Sequence, residues 1–93
     1  MIVGVLTLEL YLGEADSLKG KRKVLKSLLE RLKQRFNVSV AEVGRQDSWQ
    51  YATVGISAVS GETDHMQRTL DTVARFVENH NGVEVLEISR ELL

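Results

Sequence analysis

Eight lysine and arginine residues lie in segment 18–36, where Glu30 is the only acidic residue. The eight cations are Lys19, Lys21, Arg22, Lys23, Lys26, Arg31, Lys33 and Arg35. The rest of the chain carries four cations against twelve acidic residues, so the net charge of −1 hides a strongly polarised distribution. Such a concentration of positive charge indicates a polyanion as the partner, with phosphate groups as the contacted anions.

The placement of these cations strengthens that interpretation. Four of them fall in the first two turns of a predicted helix, where partial positive charge collects and each added cation costs a few tenths to about 1 kcal/mol. Gly20, in the same turns, costs up to about 1 kcal/mol relative to alanine. A sequence shaped by stability alone would have acidic residues there. We therefore predict a nucleic-acid-binding surface, and the alternative is a solvated helix face without a ligand. The predicted binding residues are Lys19, Lys21, Arg22, Lys23, Lys26 and Lys33.

No other group of residues has the spacing of a catalytic or metal site. The chain has no cysteine, which excludes disulfides, thiolate metal sites and thiol catalysis. His65 and His80 fall at opposite ends of one predicted helix and cannot share a metal ion. Glu42 and Asp47 are typical of edge-strand charge and turn chemistry, and no serine has a recognisable nucleophile context. We therefore expect no catalytic residue, no metal and no cofactor, and predict that the protein is not an enzyme.

Length and composition indicate one small domain spanning residues 1–93. Hydrophobic residues make up 43% of the chain, which is enough for one core, and no apolar run approaches the roughly 20 residues that span a bilayer. The first ten residues, MIVGVLTLEL, have neither the basic start nor the small-residue cleavage site of a signal peptide. The sequence thus predicts a cytoplasmic protein without a membrane segment.

Apolar periodicity predicts six elements in the order βαββαβ. The predicted strands are 2–12, 38–45, 49–59 and 83–90, and the predicted helices are 18–36 and about 62–80, the first capped by Asp16 or Ser17. The first and third strands are the most apolar and should be central, whereas the second and fourth carry charges typical of edges. This order predicts a ferredoxin-like α+β fold: a four-stranded antiparallel sheet, order 4-1-3-2, with both helices on one face.

The other sheet face is then open, and alternation assigns aromatic and apolar side chains to it. The predicted interface residues on this face are Tyr11, Trp49, Tyr51, Val3 and Val5. Exposed apolar sheet faces commonly bind another chain, so we predict a homodimer or another protein partner here. Base stacking, as on RNA-recognition sheets, is the weaker alternative because the glycine-aromatic consensus of those sheets is absent from the third strand.

Three segments of the sequence resemble the YlxP-like family of small bacterial proteins of unknown function. They are 17–22 (SLKGKR), 36–44 (FNVSVAEVG), and Asp47 with Trp49 and Gln50. The resemblance covers essentially the whole chain and implies a ferredoxin-like fold. Genes of this family commonly lie among those for transcription elongation, translation initiation and ribosome maturation, which implies RNA- or ribosome-linked work. The resemblance supplies no activity and no functional residues.

Together these features predict a non-enzymatic RNA-binding or ribosome-associated accessory protein that uses its basic first helix. The main alternative is an ACT-like regulatory module, which dimerises and binds a small ligand near the glycine after its first strand, here Gly13. A third possibility is a purely structural partner of another protein. Salt separates the first two, since polyanion binding weakens steeply as salt rises and small-ligand binding in an apolar groove does not.

Overall fold

A computed structural model describes all 93 residues and shows the ferredoxin-like α+β fold. The elements are β1 (Ile2–Tyr11), α1 (Leu18–Arg35), β2 (Ser39–Gly44), β3 (Tyr51–Ser60), α2 (Thr63–Glu78) and β4 (Glu84–Leu92). Each predicted element is present, and its ends lie within two residues of the predicted bounds.

The four strands form one antiparallel sheet in the order β2-β3-β1-β4, which confirms the predicted order. The two long central strands pair along their whole length, from Ile2 opposite Ser60 to Tyr11 opposite Tyr51. Alternate residues of β1 and β3 are buried, so one face of the sheet packs into the core. The buried row comprises Leu6, Leu8, Leu10, Ala52, Val54, Ile56 and Ala58.

Both helices cover this buried sheet face with amphipathic surfaces. In α1 the buried apolar residues are Leu25, Leu28 and Leu32, and in α2 the spacing of Met66 and Leu70 continues through the end of the helix. The helix α1 begins after Ser17, whose hydroxyl accepts a hydrogen bond from the backbone N–H of Gly20 at 3.0 Å. Of the two predicted caps, Ser17 is therefore the correct one.

Neither helix combines the length and hydropathy that a bilayer-spanning segment requires.

The connection between β2 and β3 is longer than predicted and includes Trp49. The pairing register shifts between Glu42 and Gly44, and Arg45 adopts a left-handed backbone conformation with φ 58°. The Ser48 hydroxyl then accepts hydrogen bonds from the next backbone N–H groups, including that of Tyr51 at 3.0 Å. Since β3 begins only at Tyr51, the prediction that Trp49 belongs to the third strand is wrong; Trp49 lies in the connection.

Candidate nucleic-acid interface

Five of the six predicted binding cations lie together on the exposed side of α1. At 100° per residue they occupy about 100° of the helix circumference, away from the leucines that face the core. All five side chains are exposed. We call this surface the outer basic face, and it consists of Lys19, Arg22, Lys23, Lys26 and Lys33.

None of these five cations is neutralised by the fold. The structure contains two salt bridges, Lys21 with Glu42 and Arg90 with Asp71, and neither involves the outer basic face. The first turn of α1 contains no acidic residue, and Glu30 on the same helix pairs with no cation. Glu30 falls within the same arc of the helix, but no cation is within ion-pair distance of it, so all five cations are free to contact an external anion.

The sixth predicted cation, Lys21, is not part of this surface, and including it in the binding site was wrong. Its side chain is 1% exposed. Its ammonium lies 3.0 Å from Oε2 of Glu42 and donates a hydrogen bond to the backbone carbonyl of Arg45 at 2.7 Å. The sequence contained the signal, because Lys21 precedes Leu25, Leu28 and Leu32 by 4, 7 and 11 residues, the spacing of the core-facing row.

The buried lysine connects the start of α1 to the β2–β3 hairpin. Glu42, predicted as a simple edge-strand charge, is instead 81% buried by its partner and the helix, with 19% of its side chain exposed. The carbonyl that Lys21 binds belongs to Arg45, the residue with positive φ. The Arg45 guanidinium in turn lies over the ring of Tyr51, 5.1 Å from its centroid. Lys21 thus fixes the backbone of Arg45, and the Arg45 side chain reaches Tyr51 on the open sheet face.

The open sheet face carries four of the five predicted interface residues. Tyr11 and Tyr51 lie opposite each other in the β1–β3 register, and their ring centroids are 5.3 Å apart. Val3 and Val5 are half-buried on the same face. Trp49 is 56% exposed in the hairpin connection and makes no ring contact with either tyrosine. The structure therefore brings the two tyrosines together at one end of the face, places the two valines toward the other end, and leaves Trp49 in the connection.

The β4 side of the open face is acidic. Glu87 lies directly opposite Glu9, and Glu84 and Glu91 fall on the same side of the strand. Glu9 is held by the hydroxyl of Thr53, which donates to its Oε1 at 2.5 Å. Carboxylates repel the phosphate groups of a nucleic acid, so this side of the sheet disfavours nucleic-acid binding. The outer basic face of α1 and the carboxylates on the β4 side of the open face therefore lie on different sides of the sheet.

A second cationic cluster, which the sequence did not reveal, lies between the two helices. Arg31 and Arg35 of α1 and Arg75 of α2 line two adjoining cavities of about 390 and 340 Å³ around Phe76. The α2 residues come from the far end of the chain, so this convergence could not be read from the spacing within either helix. We call this feature the inter-helix groove, lined by Arg31, Arg35, Phe36, Arg75, Phe76 and His80.

No group of three or more histidine, cysteine or acidic residues is arranged to hold a metal ion. His65 lies at the start of α2, and His80 follows its end. The Nδ1 atom of His80 lies 3.0 Å from the carbonyl oxygen of Asn81 and therefore carries the proton, while its Nε2 is buried without a hydrogen-bond partner.

Comparison with known proteins agrees with the resemblance seen in the sequence. The chain is 39% identical over 83 residues to "Uncharacterized protein YlxP" of Bacillus subtilis (strain 168), an alignment that covers 89% of this chain and 90% of that protein. Among solved structures, "De novo designed protein Foldit4" is similar with a TM-score of 0.54 and 17% identity, covering 100% of this chain and 97% of that one. This second likeness concerns the fold alone. Residues 3–90 match the family described as "Protein of unknown function (DUF503)", and the chain belongs to that family.

Proposed function

We propose that this protein is a non-enzymatic RNA-binding accessory protein whose outer basic face contacts the phosphate backbone. The observation that carries the proposal is the state of the five cations of that face: they are exposed, share one side of α1 and pair with no carboxylate. In a chain with 13 acidic residues and a net charge of −1, this surface is a distinct positive region. Lysine and arginine on phosphates supply affinity that does not depend on base sequence.

The dimensions of the surface suit a polynucleotide better than a single anion. Lys19 and Lys33 are separated by 14 helical residues, which corresponds to about 21 Å along the helix axis. One strand of a nucleic acid helix carries a charge about every 3.4 Å, so this length spans several phosphates. Because the β4 edge of the sheet is acidic, a nucleic acid should approach the protein from the side of α1.

A solvated helix face without a ligand explains these features less well. The unpaired cations begin in the first turn of α1, where the helix dipole disfavours them. The Ser17 cap and the buried leucines show that the helix is otherwise built by ordinary rules. Binding to an anion supplies the missing reason, because it offsets both the dipole and the repulsion among the cations.

The ACT-like alternative requires space beside Gly13 for a small ligand. In this structure the ring of Tyr11 lies against Gly13, so that an added Cβ would come within 2.7 Å of the ring carbon Cζ. The side chain of the protein itself therefore occupies the position beside this glycine. This makes the regulatory alternative less attractive than the polyanion proposal.

Fluorescence anisotropy with a labelled RNA, repeated at several salt concentrations, tests the proposal. With five phosphate contacts on a single strand, the affinity should fall roughly a hundredfold between about 50 and 200 mM salt. Binding that is absent at low salt, or that does not change with salt, would contradict the proposal. Ribosomal particles provide the second ligand for the same assay, since the family resemblance implies ribosome-linked work.

A further inference from the structure

The inter-helix groove combines positive charge with planar side chains. The guanidinium of Arg35 lies over the ring of Phe76, 5.4 Å from its centroid. The ring of Phe36 meets the same phenylalanine edge-on, with centroids 5.6 Å apart and an interplanar angle of 82°. The centroid of the His80 ring lies 6.4 Å from that of Phe76. Phe76 is therefore fixed in orientation and half-buried beside exposed arginines.

The arginines of this groove have no internal counter-ion. Neither salt bridge of the structure includes Arg31, Arg35 or Arg75, although Arg31 and Arg35 line both depressions of the groove and Arg75 lines the second. Three like charges brought to one groove by two helices repel one another, and the fold provides no carboxylate there. An anionic ligand would remove this repulsion, and arginine is the side chain best suited to phosphate because of its bidentate geometry.

The planar groups indicate that this anion carries an aromatic ring system. Unpaired nucleobases stack on phenylalanine, histidine and arginine planes, whereas bases inside a duplex are already stacked and out of reach. The two depressions share Arg31, Arg35 and Phe76 and are open to solvent, which suits a nucleotide that remains part of a longer strand. The ligand that matches both features is a nucleotide unit.

We infer that the inter-helix groove binds a nucleotide of single-stranded RNA, with its base on the Phe76–Arg35 pair and its phosphates at Arg31 and Arg75. This inference rests on the proposed function and deepens it by assigning the strand state of the RNA. Arg31 also lines a neighbouring surface depression with Lys23 and Lys26 of the outer basic face, so one strand can contact both surfaces. The outer basic face supplies sequence-independent affinity, and the groove supplies selectivity for unpaired RNA.

His80 also lines this groove. Its Nε2 atom is an acceptor that is buried and has no hydrogen-bond partner, which is uncommon in folded proteins. Because Nε2 is covered by protein atoms, it belongs to the packing behind the groove and is not itself a ligand contact.

Two labelled RNAs of equal length, one unpaired and one a duplex hairpin, test this inference by anisotropy at low salt. The wild-type protein should prefer the unpaired RNA. The variant Phe76→Leu, which keeps an apolar side chain but removes the ring, should bind unpaired RNA about tenfold more weakly and the duplex unchanged. Arg68→Gln is the control for loss of an arginine outside the groove: Arg68 is exposed on α2 and does not line the groove. This variant should still prefer the unpaired RNA over the duplex.

If Phe76→Leu does not fold, a second variant tests whether the groove binds unpaired RNA. Arg31→Gln combined with Arg75→Gln leaves the aromatic packing intact and should also remove the preference for unpaired RNA. Equal binding of both RNAs by the wild-type protein, or an unchanged preference in this double variant, would overturn the groove assignment while leaving the proposed function in place. Failure of the wild-type protein to bind either RNA at low salt would overturn both.

Discussion

The ammonium of Lys21 lies 3.0 Å from Oε2 of Glu42, and this ion pair joins the first turn of α1 to the edge strand β2. The two partners are unequally buried: the lysine side chain is 1% exposed and the glutamate side chain 19%. The lysine also donates to the carbonyl of Arg45, so it retains one hydrogen bond if the glutamate is removed. The difference in burial between the two side chains determines which single substitution is more harmful.

We expect Glu42→Gln to destabilise the fold more than Lys21→Met. The first leaves a buried ammonium without its counter-charge, at a cost of about 3 kcal/mol. The second fills the same space with an apolar chain and leaves unpaired the less buried partner, whose side chain is 19% exposed, at a cost of about 1 kcal/mol. Urea unfolding of the two variants measures the difference. A larger loss in Lys21→Met, or no loss in either, would show that the pair does not hold the hairpin as described.

Gly4 marks the closest approach of α2 to the sheet. A Cβ at this position would overlap Sδ of Met66 and lie 3.1 Å from Cδ1 of Leu70. We therefore expect Gly4→Ala to lower the free energy of unfolding by about 1–3 kcal/mol. Gly61→Ala is the matched control, since no atom lies within 4 Å of the added Cβ there, and it should change stability by less than about 0.5 kcal/mol. Similar unfolding midpoints for both variants would contradict this packing.

The open sheet face should mediate self-association. Val3 and Val5 lie toward one end of the central strands and Tyr11 and Tyr51 at the other, with polar residues between them. We expect these two apolar ends of the open face to contact a second chain. Sedimentation equilibrium should show a dimer that Val5→Lys dissociates, whereas Thr63→Lys, on an exposed turn of α2, should leave it intact. A wild-type monomer at high concentration would refute this prediction.

The positions of the helices and strands could be predicted from the sequence because apolar residues recur about every 3.6 residues in a helix and every two in a strand. The same pattern places Leu6 and Val54 in the core, as the structure shows, and it limits the cap of α1 to Asp16 or Ser17, of which the structure has Ser17. Lys21 was misassigned because its type suggested solvent although its spacing pointed to the core. Trp49 was misassigned because the strand start depends on the Arg45 turn, which no local pattern specifies.

The inter-helix groove could not be predicted for a different reason. Arg35 and Phe76 are far apart in the chain, and their contact depends on how α1 and α2 lie against each other on the sheet. Each residue by itself is unremarkable in an amphipathic helix. Only the packed structure shows that three unpaired arginines surround one aromatic ring.

Reversing charge at the start of α1 should leave stability intact. Replacing Lys19, Arg22, Lys23 and Lys26 with glutamate puts acidic side chains where the helix dipole favours them, and no salt bridge is lost. The melting temperature should therefore stay constant or rise slightly, while RNA binding is largely lost. A fall in melting temperature with unchanged binding would mean that these cations serve the fold, and the polyanion proposal would be abandoned.

The salt dependence of RNA binding tests the central claim most directly. The variant Lys23→Gln/Lys26→Gln should reduce the slope of log affinity against log salt by one to two, because each phosphate contact contributes about 0.7 to 1. The control Thr63→Glu/Ser89→Glu changes the net charge equally at exposed positions outside α1 and should retain the wild-type slope. We expect the slope to change only when charge is removed from the outer basic face. Equal slopes in all three proteins would contradict it.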